Sequence, residues 1–453
     1  MNLYALLQKR AAAGKPVRVG LIGAGKFGTM FLAQARRLNG LHLLGVADLS
    51  PERAKASLGR AGWDAARIVA PDFATALKTG ATHITEDAMA LIAADGLDVV
   101  VDATGSPAAG IRHVLQACKH GKHIVMVNVE ADALAGPLLA RKAAEAGIVY
   151  SLAYGDQPAL IAEMVDWARA AGFDVIAAGK GTKYLPVYHG ATPQTVWQHY
   201  GFSEEQVAQG DFNAQMFNSF LDGTKSGIEM AAVANACGLT PAANGLEFPA
   251  CGVDDLPMVM RPKKDGGHLE HKGQVEVISS LERDGRPVFR DLRWGIYVAF
   301  EAPNEYVRRC FAEYGLKTDA SGWYSAMYKP YHLIGLELSV SVLSAALRGE
   351  PTGCPGDFRG DVVATAKRDL AAGERLDGEG GYTVWGKLMP AAASLKLGGL
   401  PIGLAHGVTL KNAVKAGQPV SWADVAFDAG NETVQFRREM ERSFAGDLAK
   451  AAE

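Results

Sequence analysis

Short apolar runs alternate with helix-period segments from Val17 to Leu152, and this alternation is the strongest pattern in the chain. Val17–Ile22, Leu43–Ala47, Asp98–Asp102, His123–Val127 and Ile148–Leu152 read as strands buried on both faces. Helical stretches separate them, among them Ala133–Ala146. Strand and helix in strict turn predict a doubly wound parallel sheet, a Rossmann-type α/β domain over residues 1–153. After Tyr154 the pattern becomes α+β. A helix over Gln157–Ala171 leads into a strand, Phe173–Ala178, which empties into a loop, Gly179-Lys-Gly-Thr-Lys-Tyr184. A helix over Thr224–Cys237, strands near Gln274–Ile278 and Trp294–Phe300, and a long helix from Tyr328–His332 to Leu347 follow. Residues 154–355 are expected to form a substrate-binding and oligomerisation domain. In residues 356–453, Lys367–Leu376 is echoed by Lys411–Val420, each copy pairing a strand with a glycine turn. Two copies are too few for a solenoid and predict a small pseudo-symmetric β domain.

Glycine placement gives the first domain its chemistry. Gly23-Ala-Gly25-Lys26-Phe27-Gly28 follows the first strand and opens a helix: Gly23 allows a tight turn, Gly25 lets backbone N–H groups approach a pyrophosphate, and Gly28 lets helix and strand pack closely. The second strand ends in Asp48, placed to accept from an adenosine ribose hydroxyl, with Arg53 shortly after it. Ligands of such sheets lie at the carboxyl ends of the strands, which brings Thr104, Gly105, Asn128 and Glu130 to the nicotinamide end. NAD or NADP is the expected cofactor.

Composition narrows the class. At 453 residues, 48% hydrophobic and 21% charged, the chain is expected to be a multidomain enzyme. A net charge of −3 argues against nucleic acid and anionic membranes as partners. No apolar run reaches the roughly 18 residues that span a bilayer, and the basic residues of the N-terminus follow its apolar stretch rather than precede it. Five cysteines with no CxxC fit reduced thiols. A cytoplasmic location, a small-molecule substrate and a homo-oligomer are expected.

The central segment holds the candidate catalytic groups. Lys180 and Lys183 on a glycine-flanked loop could polarise a carbonyl, move a proton or hold an anion, with like-charge repulsion lowering one ammonium; a solvated basic loop is the plain alternative. Asp222, Lys225 and Glu229 surround a helix start, where a capping Asp222 and a Lys225–Glu229 pair are equally good readings. Lys329, Tyr331 and His332 place a cation, a phenol and an imidazole together, suited to an anionic substrate. Glu130, Asp222 and Glu229 could offer oxygen ligands to Mg²⁺ or Mn²⁺, although their spacing proves no metal site.

Val363–Gly373 carries the phrase of the SAF domain, a short β-clip. With Gly23–Gly28, Asp102–Gly105, Val127–Ala131, Gly179–Lys183, Asp222–Lys225, Lys329–His332 and the repeat, the chain resembles the homoserine dehydrogenase-like oxidoreductases that bear a C-terminal SAF domain. One branch, the 1-deoxy-D-xylulose 5-phosphate reductoisomerase-like enzymes, implies NADPH, a divalent metal, a sugar phosphate and a skeletal rearrangement coupled to hydride transfer. The resemblance therefore implies an NAD(P)-dependent oxidoreductase acting on a small anionic hydroxy or carbonyl compound, a sugar acid or sugar phosphate. Two departures stand out: Asn128-Val-Glu130-Ala131 where homoserine dehydrogenases carry Ala-Asn-Lys-Ala, and an Asp48 that would repel an NADP 2′-phosphate unless Arg53 compensates. A homoserine dehydrogenase-type simple dehydrogenase and a non-catalytic nucleotide sensor are the alternatives.

Overall fold

A computed structural model describes residues 2–209 and 213–451. It divides into two compact units, Met1–Glu163 with His332–Gly356, and Met164–Tyr331 with Asp357–Glu453.

The first unit is built on six strands, β1 Val17–Ile22, β2 Leu41–Ala47, β3 His83–Thr85, β4 Val99–Asp102, β5 His123–Met126 and β6 Tyr150–Leu152. They form one sheet in the order β3-β2-β1-β4-β5-β6, parallel throughout, which is the doubly wound Rossmann arrangement. Val19, Leu21, Val46, Val99 and Val101 are fully buried, as strands covered on both faces require. The helix Ser339–Arg348 returns to this core with Leu338, Val342 and Leu343. The helix between β5 and β6 begins at Val129, earlier than expected, because the Asn128 side chain caps it by accepting from the Ala131 amide.

One buried acid in this unit has a consequence for stability. Asp132 lies in that helix with no solvent exposure; its Oδ1 accepts from the Tyr150 hydroxyl at 2.7 Å, and its Oδ2 has no hydrogen-bond partner. Burial pushes the carboxyl up to about 7, against the opposing pull of Tyr150. Because the folded state binds this proton more tightly than the unfolded chain, the group's contribution is complete below its unfolded value near 4. It is then lost as pH rises through about 7. Asp132→Asn keeps an acceptor for Tyr150 and removes the charge, so urea denaturation should show a gain of a few kcal/mol at about pH 8 and almost none at about pH 4.

The second unit holds β7 Asp174–Thr182, β8 Thr240–Pro241, β9 Gln274–Val275, β10 Ile278–Ser279, β11 Ile296–Glu301 and β12 Tyr324–Lys329. The sheet order is β12-β11-β7-β9-β8, with β10 also on β7. Two expectations are corrected here. The glycine-flanked loop at Gly179–Thr182 is strand, the second half of β7. Its glycines make room for neighbouring backbone: a Cβ at Gly179 would lie 1.7 Å from the Glu276 carbonyl oxygen, and one at Gly181 1.9 Å from that of Leu292. The long helix expected from Tyr328 also fails. Tyr328 and Lys329 pair with Tyr297 and Ile296 in β12, and the helix begins only at Ser339. Pro330 biases Lys329 toward extended backbone, and Gly335 at φ +78° breaks the intervening stretch.

β13 Gly360–Ala366, β14 Arg375–Asp377, β15 Val384–Pro390 and β16 His406–Thr409 make the small C-terminal β structure. The two echoed segments pair with each other. Leu370 and Val414 exchange N–H to O=C bonds of 2.8 and 3.0 Å, while Gly373 donates to Leu410 and Gly417 to Ala366, both at 2.8 Å. Equivalent positions thus make equivalent bonds, the signature of a local two-fold, and both turn glycines have positive φ. No helix among the described residues is long and apolar enough to cross a membrane.

Candidate functional site

The fingerprint forms a cradle in the first unit. Gly23 sits at φ +91°, and a Cβ on Gly28 would fall 2.3 Å from the Gly23 carbonyl oxygen, so both positions exclude side chains. Gly25 caps the helix Lys26–Ala35 with no side chain bonded to the exposed amides, and nothing lies within 4 Å of where its Cβ would be. Lys26 is exposed and Phe27 half-buried at the same helix start. A helix N-terminus of this form fits a pyrophosphate.

Asp48 is buried and held firmly. Its Oδ2 accepts from the Ala24 amide at 2.8 Å, and its Oδ1 accepts from the Ser50 amide at 2.8 Å and from Arg53 Nη2 at 2.5 Å. Three of a carboxylate's roughly four acceptor positions are therefore occupied, leaving room on Oδ2 for a ribose hydroxyl. Arg53 is engaged with Asp48 and is the more exposed partner. Asp48→Ser should weaken NADH binding by roughly tenfold and release Arg53 for a 2′-phosphate, so the NADH to NADPH dissociation-constant ratio, read by nicotinamide fluorescence titration, should move toward NADPH.

At the end of β4, Asp102 organises the next loop. It accepts from the Thr104 amide and hydroxyl at 2.9 and 2.7 Å and from His113 Nδ1 at 2.9 Å. Asn128 donates to Thr104 Oγ1 at 3.1 Å and to the Ser106 carbonyl at 2.8 Å. Thr104 and Gly105 are thereby presented on an exposed loop, and Glu130 lies in the first turn of the next helix.

In the second unit, the helix Thr224–Cys237 packs over β7, and two ion pairs are buried there. Lys180, on β7 and 6% exposed, bonds Glu229, 3% exposed, on the helix. Of the three N–H donors of this ammonium, only one is spent among the described residues. The second pair is different. Lys367 Nζ donates to the carbonyls of Ala191 and Gly381 at 2.8 and 2.7 Å and forms an ion pair with Asp222 Oδ2 at 2.7 Å, so the ammonium is engaged on three sides. Asp222 Oδ1 accepts from the Thr224 amide at 2.9 Å; burial pushes this carboxyl up, opposed by Lys367 and Thr224. Asp222 is thus locked into the structure at the helix start, with Gly223 rather than Asp222 as the cap residue.

His189, which carried no sequence motif, joins this region. Its Nδ1 lies 2.7 Å from the Asp222 carbonyl oxygen, which can only accept, so Nδ1 carries the proton and Nε2 accepts from the Tyr184 hydroxyl at 2.9 Å. Trp385 stacks on the imidazole at 3.9 Å and Phe248 on Tyr184 at 4.0 Å. Burial pushes His189 down to about 4, keeping it neutral. Phe248 holds a positive φ of 51°, a costly backbone state for a bulky residue. A cavity bounded by Gly223, Phe248, Trp385 and Gly386 adjoins these rings.

The remaining candidates are spread out. Lys183 lies just beyond the end of β7, and its Nζ donates to the His199 carbonyl at 2.5 Å. Its ammonium is pulled down by burial first and by Arg293 second, so Lys180 is not the repelling partner. Lys225 is partly buried on the Thr224–Cys237 helix, and Glu229 is engaged by Lys180 rather than by it. Lys329 ends β12, with its Nζ 5.6 Å from the Tyr331 ring centroid; His332 belongs to the first unit. Asp222 and Glu229 are each bound by a lysine, and Glu130 lies in the first turn of the Val129–Glu145 helix. Among the described residues no group of three or more His, Cys, Asp or Glu could hold a metal ion, so the donor set does not fit Mg²⁺ or Mn²⁺.

Three family models match consecutive stretches of the chain. Residues 19–151 match the homoserine dehydrogenase NAD binding domain, 155–338 the catalytic domain of oxidoreductase DRL, and 361–426 the SAF domain. The homoserine dehydrogenase of Pseudomonas aeruginosa is 31% identical over 135 residues, covering 30% of this chain and 28% of that protein. Among solved structures, a probable dehydrogenase from Thermotoga maritima is 14% identical with a TM-score of 0.39, over 75% of this chain and 91% of that one. A myo-inositol dehydrogenase from Lactobacillus casei, solved with NAD(H) and myo-inositol, is 18% identical with a TM-score of 0.27, over 40% of this chain and 50% of that one. The matched domains are those of an NAD(P)-dependent oxidoreductase.

Proposed function

We propose that the protein reduces or oxidises a small, polar, anionic carbonyl or hydroxy compound by direct hydride transfer, with NAD preferred, and that Lys180 handles the accompanying proton. The observation that supports this most is the Lys180 ammonium, buried against Glu229 with two donors unspent among the described residues. Burying a charge is costly, and a lysine that served only structure would be engaged on several sides, as Lys367 is by two carbonyls and the Asp222 carboxylate. Bound nicotinamide supplies or accepts the hydride. In the reducing direction, Lys180 hydrogen-bonds the carbonyl oxygen, polarises it, and gives that oxygen a proton as the carbon gains the hydride. Glu229 orients the ammonium, while Asp222 and Lys367 fix the helix start that carries Glu229.

Simple hydride transfer is favoured over a coupled rearrangement because two of the three carboxylates considered for a divalent metal, Asp222 and Glu229, are bound to lysines. A cytoplasmic homo-oligomer remains part of the reading. The test follows nicotinamide absorbance with a panel of hydroxy acids, keto acids and sugar phosphates, with NAD(H) and NADP(H), in the presence and absence of Mg²⁺. Metal-independent turnover of one class supports the proposal. No turnover across the panel, or turnover only with metal, overturns it.

A further inference from the structure

The far end of β7 carries a second cluster that proton transfer does not use. Gly181 is pressed against the loop before β11: a Cβ there would lie 1.9 Å from the Leu292 carbonyl oxygen and 3.0 Å from the Arg293 amide, and the Gly181 amide donates to Gly295 at 3.0 Å. This clamp brings Arg293 beside the strand end from which Lys183 emerges. Lys183 is partly buried, with its Nζ 5.7 Å from the centroid of the Tyr200 ring. Arg293, also partly buried, stacks on Trp294 at 4.7 Å. Tyr188 and His199 pack together with ring centroids 5.0 Å apart, and the Arg293 charge acts on both the Tyr188 and Tyr200 phenols.

Among the described residues, no carboxylate forms an ion pair with Lys183 or Arg293. Two partly desolvated cations side by side repel each other and have lost hydration, and burial together with Arg293 pulls the Lys183 ammonium down. An anion placed against both would relieve both costs. A guanidinium, an ammonium and neighbouring phenols are the donors that recognise a carboxylate or a phosphate. Tyr200 packs on Phe217 with ring centroids 5.7 Å apart, and Phe217 belongs to the helix Ala214–Leu221 that runs into Asp222, so the cluster lies beside the element that carries this buried acid.

We infer that Lys183 and Arg293, beside Tyr188 and Tyr200, form the anion-recognition subsite for the carboxylate or phosphate of the compound on which Lys180 acts. This rests on the oxidoreductase reading and reassigns Lys183 from proton transfer to recognition.

Inorganic phosphate and acetate, titrated separately into the full chain at constant ionic strength and followed by calorimetry, are the probes. Saturable binding of at least one is expected, weakened by roughly tenfold in Lys183→Gln and in Arg293→Gln. Arg293→Lys, which keeps the charge, should retain most of it. Arg290→Gln, which removes a nearby cation paired with Asp254, should change nothing. Saturation by phosphate alone points to a phosphate ester, and by acetate alone to a carboxylic acid. Absence of saturable binding, or equal binding by wild type, Lys183→Gln and Arg293→Gln, overturns the inference. NADH binding measured on the same preparations shows that each variant is folded. It also separates this outcome from failure of the oxidoreductase reading, which is decided by turnover alone.

Discussion

Lys180→Met should lower turnover by about 10²- to 10⁴-fold while NADH still binds, the range by which a positioned acid or base accelerates proton transfer. The substitution removes a buried ammonium that is held in place by the Glu229 carboxylate and for which, among the described residues, one donated bond accounts for its contacts. It also leaves the buried Glu229 carboxylate without its counter-charge, which by itself can cost about 3–5 kcal/mol of stability. The two effects separate in Lys180→Met/Glu229→Gln. Replacing the carboxylate by its neutral amide should restore the urea midpoint toward wild type without restoring turnover. Recovery of both in the double variant would mean that Lys180 serves only the fold.

Lys367→Met should be the most damaging substitution for stability. One ammonium there neutralises Asp222 and satisfies two carbonyls, and its loss leaves a fully buried carboxylate without its counter-charge. A loss of about 3–5 kcal/mol is expected in urea denaturation. Asp222→Asn in the same chain should recover much of it, because a neutral amide can still accept from the Thr224 amide and no longer needs a cation. Lys367 and Trp385 belong to the stretch that matches the SAF domain, while Asp222 and His189 belong to the oxidoreductase catalytic stretch. The bonds between them make the C-terminal β structure a working part of the second unit, since it holds the helix start that carries Glu229.

What could be read along the chain follows from how local each signal is. The Gly23–Gly28 phrase is local: each glycine answers to a turn or helix a few residues away, and the crowding around Gly23 and Gly28 is what the spacing implied. The echo of Lys367–Leu376 in Lys411–Val420 was legible because a local two-fold gives equivalent residues equivalent bonds. Gly179 and Gly181 misled. Glycines around a lysine resemble a turn, but these two are dictated by the backbones of Glu276 and Leu292, which are distant in sequence and leave no local trace. The same distance hid the partners of Lys180 and Asp222, and with them the difference between a lysine with donors to spare and one without. His189 could not be found at all, because a single histidine gains its fixed tautomer only from Asp222 and Tyr184 in the folded chain. Lys329-Pro330 was a missed local cue. The proline already favoured extended backbone before it, but the apolar helical period that follows outweighed it.

The most direct test of the account uses NADH deuterated at the nicotinamide C4, together with whichever carbonyl compound of the panel gives the fastest turnover. The label should appear on the new C–H carbon of the product with wild-type protein. Lys180→Met, still binding NADH, should transfer it at least about a hundred times more slowly. Product without label, or label transferred by Lys180→Met at the wild-type rate, would contradict the central claim that this chain moves hydride with Lys180 as its proton-handling group.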